Sequence, residues 1–313
     1  MKNLFLQGAA LAFILTCSSL QAQECDRTCL ENWVDTYLEA MRDDNVSDQL
    51  FSREAKFTEN GVHLPLGGEG LWYGMNAIGT YKFYVPDIET QQVAFIGTVR
   101  EFGDGDNDGD VVAIALRLKI RDNLITEIEQ LAIRPSSTNS SSNRFPPTGE
   151  GVEAMGTPHQ IFREDIPEDE RMTREELITV GNYYFTGLDN NDGQGYYPFS
   201  DDCIRFENGV DVLNFTGTRT TCKAQFENDL KGVVSRIRDR RFVAVDQQKG
   251  IVFAFGFFDH HRINWTWQLA ELFKIEDGQI RRIEAIFHRA PFGIGSGWST
   301  YEQSISREIQ DIR

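Results

Sequence analysis

With 313 residues, 40% of them hydrophobic and 25% charged, the chain has the composition of a soluble globular protein of about two ordinary domains, not of a disordered or fibrous one. A formal net charge of -17 repels phosphate backbones and anionic lipid, so nucleic acid and membrane surfaces are not expected partners.

The first 22 residues carry one charge, Lys2, then the apolar run Leu11 to Leu15 and small or polar residues up to Ala22. This order reads as a secretory signal cut before Gln23, which predicts a secreted or periplasmic protein. Cys17 follows Thr16 where a lipoprotein acceptor wants a small residue, so lipidation is not expected. Cleavage leaves Cys25, Cys29, Cys203 and Cys222, an even set suited to two disulfides in an oxidising compartment. Local pairings, Cys25 with Cys29 and Cys203 with Cys222, are expected over crossed ones.

The remainder says the same thing twice. Phe57-Thr-Glu-Asn-Gly61 answers to Arg205-Phe-Glu-Asn-Gly209, and Ile125 to Leu131 answers to Ile280 to Ile286. Copy one, residues 23–134, opens with a helix whose Leu30, Trp33, Val34, Tyr37, Leu38 and Met41 fall on one face. In its middle, Asp104-Gly-Asp-Asn-Asp-Gly-Asp110 reproduces the first half of a calcium loop, with Asp104, Asp106 and Asp108 at ligand positions. Position 12 is Ala115, so this is no EF-hand; a weak Ca2+ site and a solvated acidic turn are the two readings. No other cofactor is implied by the motifs. Residues 135–171 are rich in Ser, Asn, Pro and acid and predict a tether, pinned by Phe145, Ile161 and Phe162.

Copy two, residues 172–290, begins with a Thr173/Glu176 capping box and a helix bearing Leu177, Gly181, Tyr184 and Leu188 on one stripe. Each copy closes with a hairpin, turning at Asp122-Asn123 and at Asp277-Gly278. Residues 291–313 form a tail with a short helix. The unit repeated is therefore expected to be a whole small α+β domain, and the chain a covalent pseudo-dimer.

Counting outward from Asp277-Gly278, Phe273 should face Arg282, Glu271 should face Glu284 and Trp267 should face His288, all on one sheet face. Two opposed carboxylates among Trp267, Leu269 and Ile286 cannot both ionise cheaply, so one pKa should rise and give an acid and a base near neutral pH. Copy one keeps Glu129 for Glu284 but has Leu116 for Glu271 and Ile133 for His288. Chemistry, if present, thus belongs to copy two. The competing reading is an ion network in which Glu271 and Glu284 flank Arg282 or Arg289 at a domain interface. Asp259 and His260, ending a strand, form a second candidate pair, and Trp267, Phe273 and Tyr184 are candidate ligand-packing rings.

The stretch Glu271-Leu-Phe-Lys-Ile-Glu-Asp-Gly-Gln-Ile-Arg-Arg-Ile-Glu-Ala-Ile286 resembles the closing hairpin of the nuclear transport factor 2-like, or SnoaL-like, cone fold. Cys203-x-Arg-x-Glu-Asn-Gly209, Phe258-Asp-His260 and Ser296-Gly-Trp298 are similar to an uncharacterised secreted two-domain family of fungi and bacteria. The resemblance implies helices packed on a strongly curved, mostly antiparallel sheet in each copy. It also implies an apolar pocket lined by carboxylates and His, as in cofactor-free lyases and isomerases, or a non-catalytic ligand-binding or protein-interaction module. The expected ligand is a small, neutral or cationic organic molecule; a further pairing of two chains is compatible with the pattern.

Overall fold

The computed structural model describes residues 24–105, 108–135, 146–190, 192–214 and 217–313. The predicted signal segment and Asp106 lie outside them.

In the first domain α1 (Arg27–Arg42) is followed by β1 (Phe51–Glu59), β2 (Val62–His63), the short α2 (Leu71–Gly74), β3 (Met75–Asp87), β4 (Gln92–Glu101), β5 (Asp110–Arg121) and β6 (Leu124–Ile133). A helical turn α3 (Thr148–Ala154) lies in the connection. The second domain repeats the order with α4 (Arg174–Asn190), β7 (Phe199–Glu207), β8 (Val210–Asp211), α5 (Cys222–Ala224), β9 (Arg236–Asp246), β10 (Ile251–His260), β11 (Trp265–Glu276) and β12 (Gln279–Pro291). A tail adds α6 (Tyr301–Ile305) and β13 (Ile309–Asp311).

Among the described residues the first sheet has six strands in the order β2-β1-β6-β5-β4-β3, and the second seven, β13-β9-β10-β11-β12-β7-β8. β1 runs parallel to β6, and β7 to β12, while the hairpins are antiparallel. The expectation of two α+β cone domains is therefore corrected: strands dominate, and both sheets are mixed and open. The physical reason is that one long helix per domain covers only one face of its sheet. The other face needs a different partner, and finds it in the second sheet.

Three cores result. α1 packs on the first sheet through Leu30, Val34, Tyr37 and Leu38. α4 packs on the second through Leu177, Tyr184, Phe185 and Leu188. Between the sheets lies a third core, with Tyr81, Phe83, Ile96 and Leu131 from one domain against Phe253, Phe255, Leu272 and Ile286 from the other. Phe162 and Val152, from the connection, are buried in that same core, which seats the segment after Pro147 against both domains.

Local chemistry explains the repeated motifs. Asn60-Gly61 and Asn208-Gly209 have φ of 52°, 80°, 51° and 79°, the left-handed pair that a two-residue hairpin turn demands. The capping box forms, with Glu176 accepting from the Thr173 amide at 2.8 Å and its hydroxyl at 2.9 Å. Both disulfides are the local ones, Cys25–Cys29 and Cys203–Cys222. The first lies at the start of α1 and the second ties β7 to the start of α5.

Ion pairs stitch the domains together. Arg241 donates two bonds of 2.7 Å to Glu129, and Arg174 holds Asp87 of the first domain and Asp311 of β13. No described helix is long and apolar enough to cross a membrane.

Candidate functional site

The register of the β11–β12 hairpin decides which side chains meet. It runs as expected from Glu276↔Gln279 to Ile275↔Ile280, but Lys274 then pairs Arg282, leaving Arg281 as an extra residue on β12. A bulge of this kind shifts every later pair by one residue. Glu271 consequently opposes Ala285, Leu272 opposes Glu284, and Phe273 opposes Ile283. The predicted Glu271/Glu284 pairing is corrected on this ground: the two carboxylates leave the hairpin on opposite faces. The predicted Trp267/His288 and Phe273/Arg282 pairs fail for the same reason.

Glu284 faces the other domain. It is 4% exposed, accepts the Tyr81 hydroxyl at 2.6 Å, and is gripped by Arg282 at 3.0 and 3.1 Å. Burial pushes its carboxyl up from the ordinary carboxylate value, while Arg282 and Tyr81 pull it back. His288 shares that face and meets Gln268 at 3.1 Å; desolvation, aided by the Arg134 charge, lowers its pKa to about 4. At neutral pH it is an uncharged packing group. Both residues belong to the interface between the domains, as in the ion-network reading of Glu284.

Glu271 faces the other way, into the core beneath α4. Tyr184 from α4 stands within hydrogen-bonding reach of it, and Arg205 from β7 approaches the same point. These groups line a pocket of about 70 Å3 whose walls include Leu188, Leu269, Ala285 and Phe287, with Trp267 partly open at its edge. Leu230 and Val233, from the segment that follows α5, close the top. Glu271 is 1% exposed and Arg205 3%. Neither is satisfied: Oε1 of Glu271 and Nε and Nη1 of Arg205 are buried without hydrogen-bond partners. Leaving such groups unpaired costs about 1–3 kcal/mol each, more when charged, so each calls for a partner that the surrounding side chains do not supply.

Desolvation is the main cause that raises the Glu271 pKa to about 8; the Glu207 charge adds to the rise, and Tyr184 and Arg205 oppose it. A value this high favours the protonated carboxyl at neutral pH, which then carries a proton with no acceptor among its neighbours. Tyr184 itself is pushed well above the ordinary phenol value by burial and by the Glu271 charge, so it remains a neutral donor.

The other sequence-predicted residues separate into scaffold and rim. Asp259 is held by Arg236 at 2.9 Å, Arg238 at 2.9 Å and Thr266 at 2.7 Å. Burial works against its charge, but those bonds outweigh burial and hold the carboxyl below the usual range. It is a structural anchor. His260 lies over Trp265 at a centroid distance of 4.3 Å and meets Trp267 edge-to-face at 4.4 Å, and desolvation lowers its pKa. It buttresses the ring that edges the pocket. Phe273 packs under Tyr184 at 5.2 Å, forming floor, not lining. Asp104 and Asp108 belong to the loop before β5, and among the described residues no group of three or more His, Cys, Asp or Glu converges as a metal centre would require.

Sequence reasoning missed Arg205 and Glu207. A signal was present: in the repeated motif copy two carries Arg205 where copy one carries Phe57, a charge at a strand position that the first copy makes apolar. Two larger clefts, of about 540 and 810 Å3, are open grooves bounded by charged loops and contain none of these groups.

Comparison with known proteins adds little chemistry. Residues 170–287, the part holding the pocket, match the model of a domain of unknown function (DUF8021). No curated protein matches the chain. Among solved structures, a de novo designed protein with a curved β-sheet is similar over 37% of this chain and 88% of its own, with 18% identity and a TM-score of 0.28.

Proposed function

We propose that this is an exported protein whose second domain holds a small organic molecule, carrying a carbonyl oxygen, in the pocket between α4 and the second sheet. The observation that carries the reading is that two residues lining one cavity, Glu271 and Arg205, each hold buried polar atoms without partners, Oε1 of the first and Nε and Nη1 of the second. Protonated Glu271 and the Arg205 N–H groups are donors, and an oxygen between them would satisfy both. The signal-like first 22 residues and the two disulfides support export.

The same arrangement suits proton transfer. A carboxyl that titrates near neutrality in a dry pocket acts as general acid toward a carbonyl or leaving oxygen, and Arg205 stabilises the negative charge that develops there. Cofactor-free elimination or isomerisation is the reaction class, with ionised Glu271 taking the carbon-bound proton and, once protonated, returning it to the leaving oxygen or to the neighbouring carbon. A second reading, binding without turnover, is favoured by the placement of Glu284 and His288 on the far face, which leaves the pocket without the second acid/base pair expected from the sequence.

The test is an NMR titration of the Glu271 carboxyl in the mature protein, alone and with a library of carbonyl fragments. A midpoint near 8 that moves when fragments bind supports the pocket. An ordinary carboxylate midpoint, untouched by any fragment, defeats it. Glu271→Gln then separates the two readings: turnover lost with affinity kept means catalysis, and affinity alone changed means binding.

A further inference from the structure

A second charge at the pocket edge narrows the class of ligand. Glu207 lies two residues beyond Arg205 on β7, so both side chains leave the strand on one face. Its carboxylate is 3.3 Å from Nη2 of Arg205, and its side chain is 21% exposed against 3% for Arg205. One arginine nitrogen is thus held by a carboxylate that solvent reaches, while Nε and Nη1 point to no partner. The charged or titratable groups facing Glu271 here are Tyr184 from α4 and Arg205 and Glu207 from β7.

We propose that the pocket is a receptor for the carboxylate of a small organic acid with an apolar body, and that Glu207 holds Arg205 until that carboxylate displaces it. The inference rests on the pocket reading above and names its ligand class. Guanidinium pairs carboxylate better than any neutral oxygen, because both the charge and the spacing of donors match. One ligand oxygen takes the Arg205 N–H groups and the other takes the proton of Glu271. Leu188, Leu269 and Ala285 then accept the hydrocarbon part, and the limited volume keeps it short. An amide or alcohol brings no charge to compete with Glu207, and a cation meets the charge of Arg205. The overall negative charge does not forbid an anion: exposed charges are screened over about 8–10 Å in physiological salt, whereas Arg205 is buried beside the ligand.

Calorimetric titration of the full mature chain at pH 6.5 with isovalerate, isovaleramide and isoamylamine tests this. The acid is expected to bind at least tenfold more tightly than the amide and the amine. Glu207→Gln should tighten isovalerate several-fold by freeing Arg205; Arg205→Met should abolish binding with the circular dichroism unchanged. At pH 9.5, with Glu271 ionised, isovalerate should bind at least tenfold more weakly. If the amide binds as well as the acid, or Glu207→Gln weakens or leaves unchanged the binding of isovalerate, the carboxylate inference falls while the pocket reading survives. If none of the three binds, or if Arg205→Met binds like the native protein, both fall. Should Arg205→Met fail to fold, the Glu207→Gln comparison decides alone.

Discussion

In the first domain Tyr37 donates its hydroxyl to Gln130 at 2.9 Å and receives the Trp72 indole N–H at 3.2 Å, while Gln130 passes an amide N–H to Glu59 at 3.0 Å. At the matching place in the second domain Tyr184 meets Glu271 and Arg205; Glu207 holds one arginine nitrogen, while Oε1 of Glu271 and Nε and Nη1 of Arg205 find nothing. The strand registers align Leu116 with Glu271, Phe57 with Arg205 and Gln130 with Ala285. One copy plugs the space with apolar bulk and a closed hydrogen-bond chain. The other replaces that bulk by ionisable groups and trims glutamine to alanine, which leaves a void with unmet donors. The contrast teaches that the first domain uses this position for stability and the second leaves it polar and unsatisfied at a cost in stability.

Glu129 and Glu284 make the opposite case. They are the same residue at the same register in both copies, and both are bound at the interface between the sheets, Glu129 by Arg241 and Glu284 by Tyr81 and Arg282. Sameness here reflects packing, not chemistry.

Four measurements would break or sharpen the comparison. The largest effect is expected from Arg241→Met, which takes both short bonds from the buried Glu129 carboxylate, leaving it Arg117 at 3.5 Å, and removes the ion pair to buried Asp239: urea unfolding should show a loss of about 3–5 kcal/mol. Next comes pH. Because the folded-state pKa of Glu271, about 8, lies above the ordinary carboxylate value, its contribution to stability is full in acid and is lost as pH rises towards and through 8. Native protein should therefore lose roughly 2–4 kcal/mol more than Glu271→Gln between pH 5 and pH 9. Equal slopes would show that Glu271 titrates normally and that the pocket is wet. Third, Glu271→Leu combined with Arg205→Met gives the second domain the apolar character of the first. Unfolding free energy should rise by about 1–3 kcal/mol, since apolar replacement of buried charges is often stabilising, and fragment binding should vanish. A large loss would mean that the charges hold the fold. The smallest effect is expected from Tyr81→Phe, which leaves Glu284 to Arg282 alone and should cost about 1–2 kcal/mol with ligand affinity unchanged. An altered affinity would reveal communication between the two faces of β12.

The duplication, the hairpin turns, the capping box and the faces of both long helices were legible because each depends on short-range chemistry: turn residues that tolerate positive φ, caps, and a 3.6-residue period. Fold class was not. Two amphipathic helices in a chain full of alternating segments do not reveal whether strands or helices dominate, nor that the free face of each sheet is covered by the other sheet. The site was half legible. Glu271, Tyr184 and Trp267 fell where the pocket is, but Glu284 and His288 moved to the far face because of one extra residue, Arg281, that carries no Gly or Pro to announce a bulge. Arg205 was visible only as a mismatch between copies, a signal that needs the register of the parallel β7–β12 pair to be read.

The place of β13 has a consequence for how the chain reaches this state. β9, the strand it covers, is also the one that carries Arg236, Arg238, Arg240 and Arg241, and its partner is the parallel segment Ile309–Asp311. During synthesis the second sheet therefore exists with a bare margin until residues 309–311 have emerged. A nascent chain stalled earlier would present an open ladder of amides and carbonyls, guarded against sticking to its neighbours by the charged side chains of β9, the four arginines and Asp239. Of these arginines, Arg241 goes on to bind the other domain through Glu129, while Arg236 and Arg238 pair Asp259 and Arg240 pairs Asp189 within their own domain.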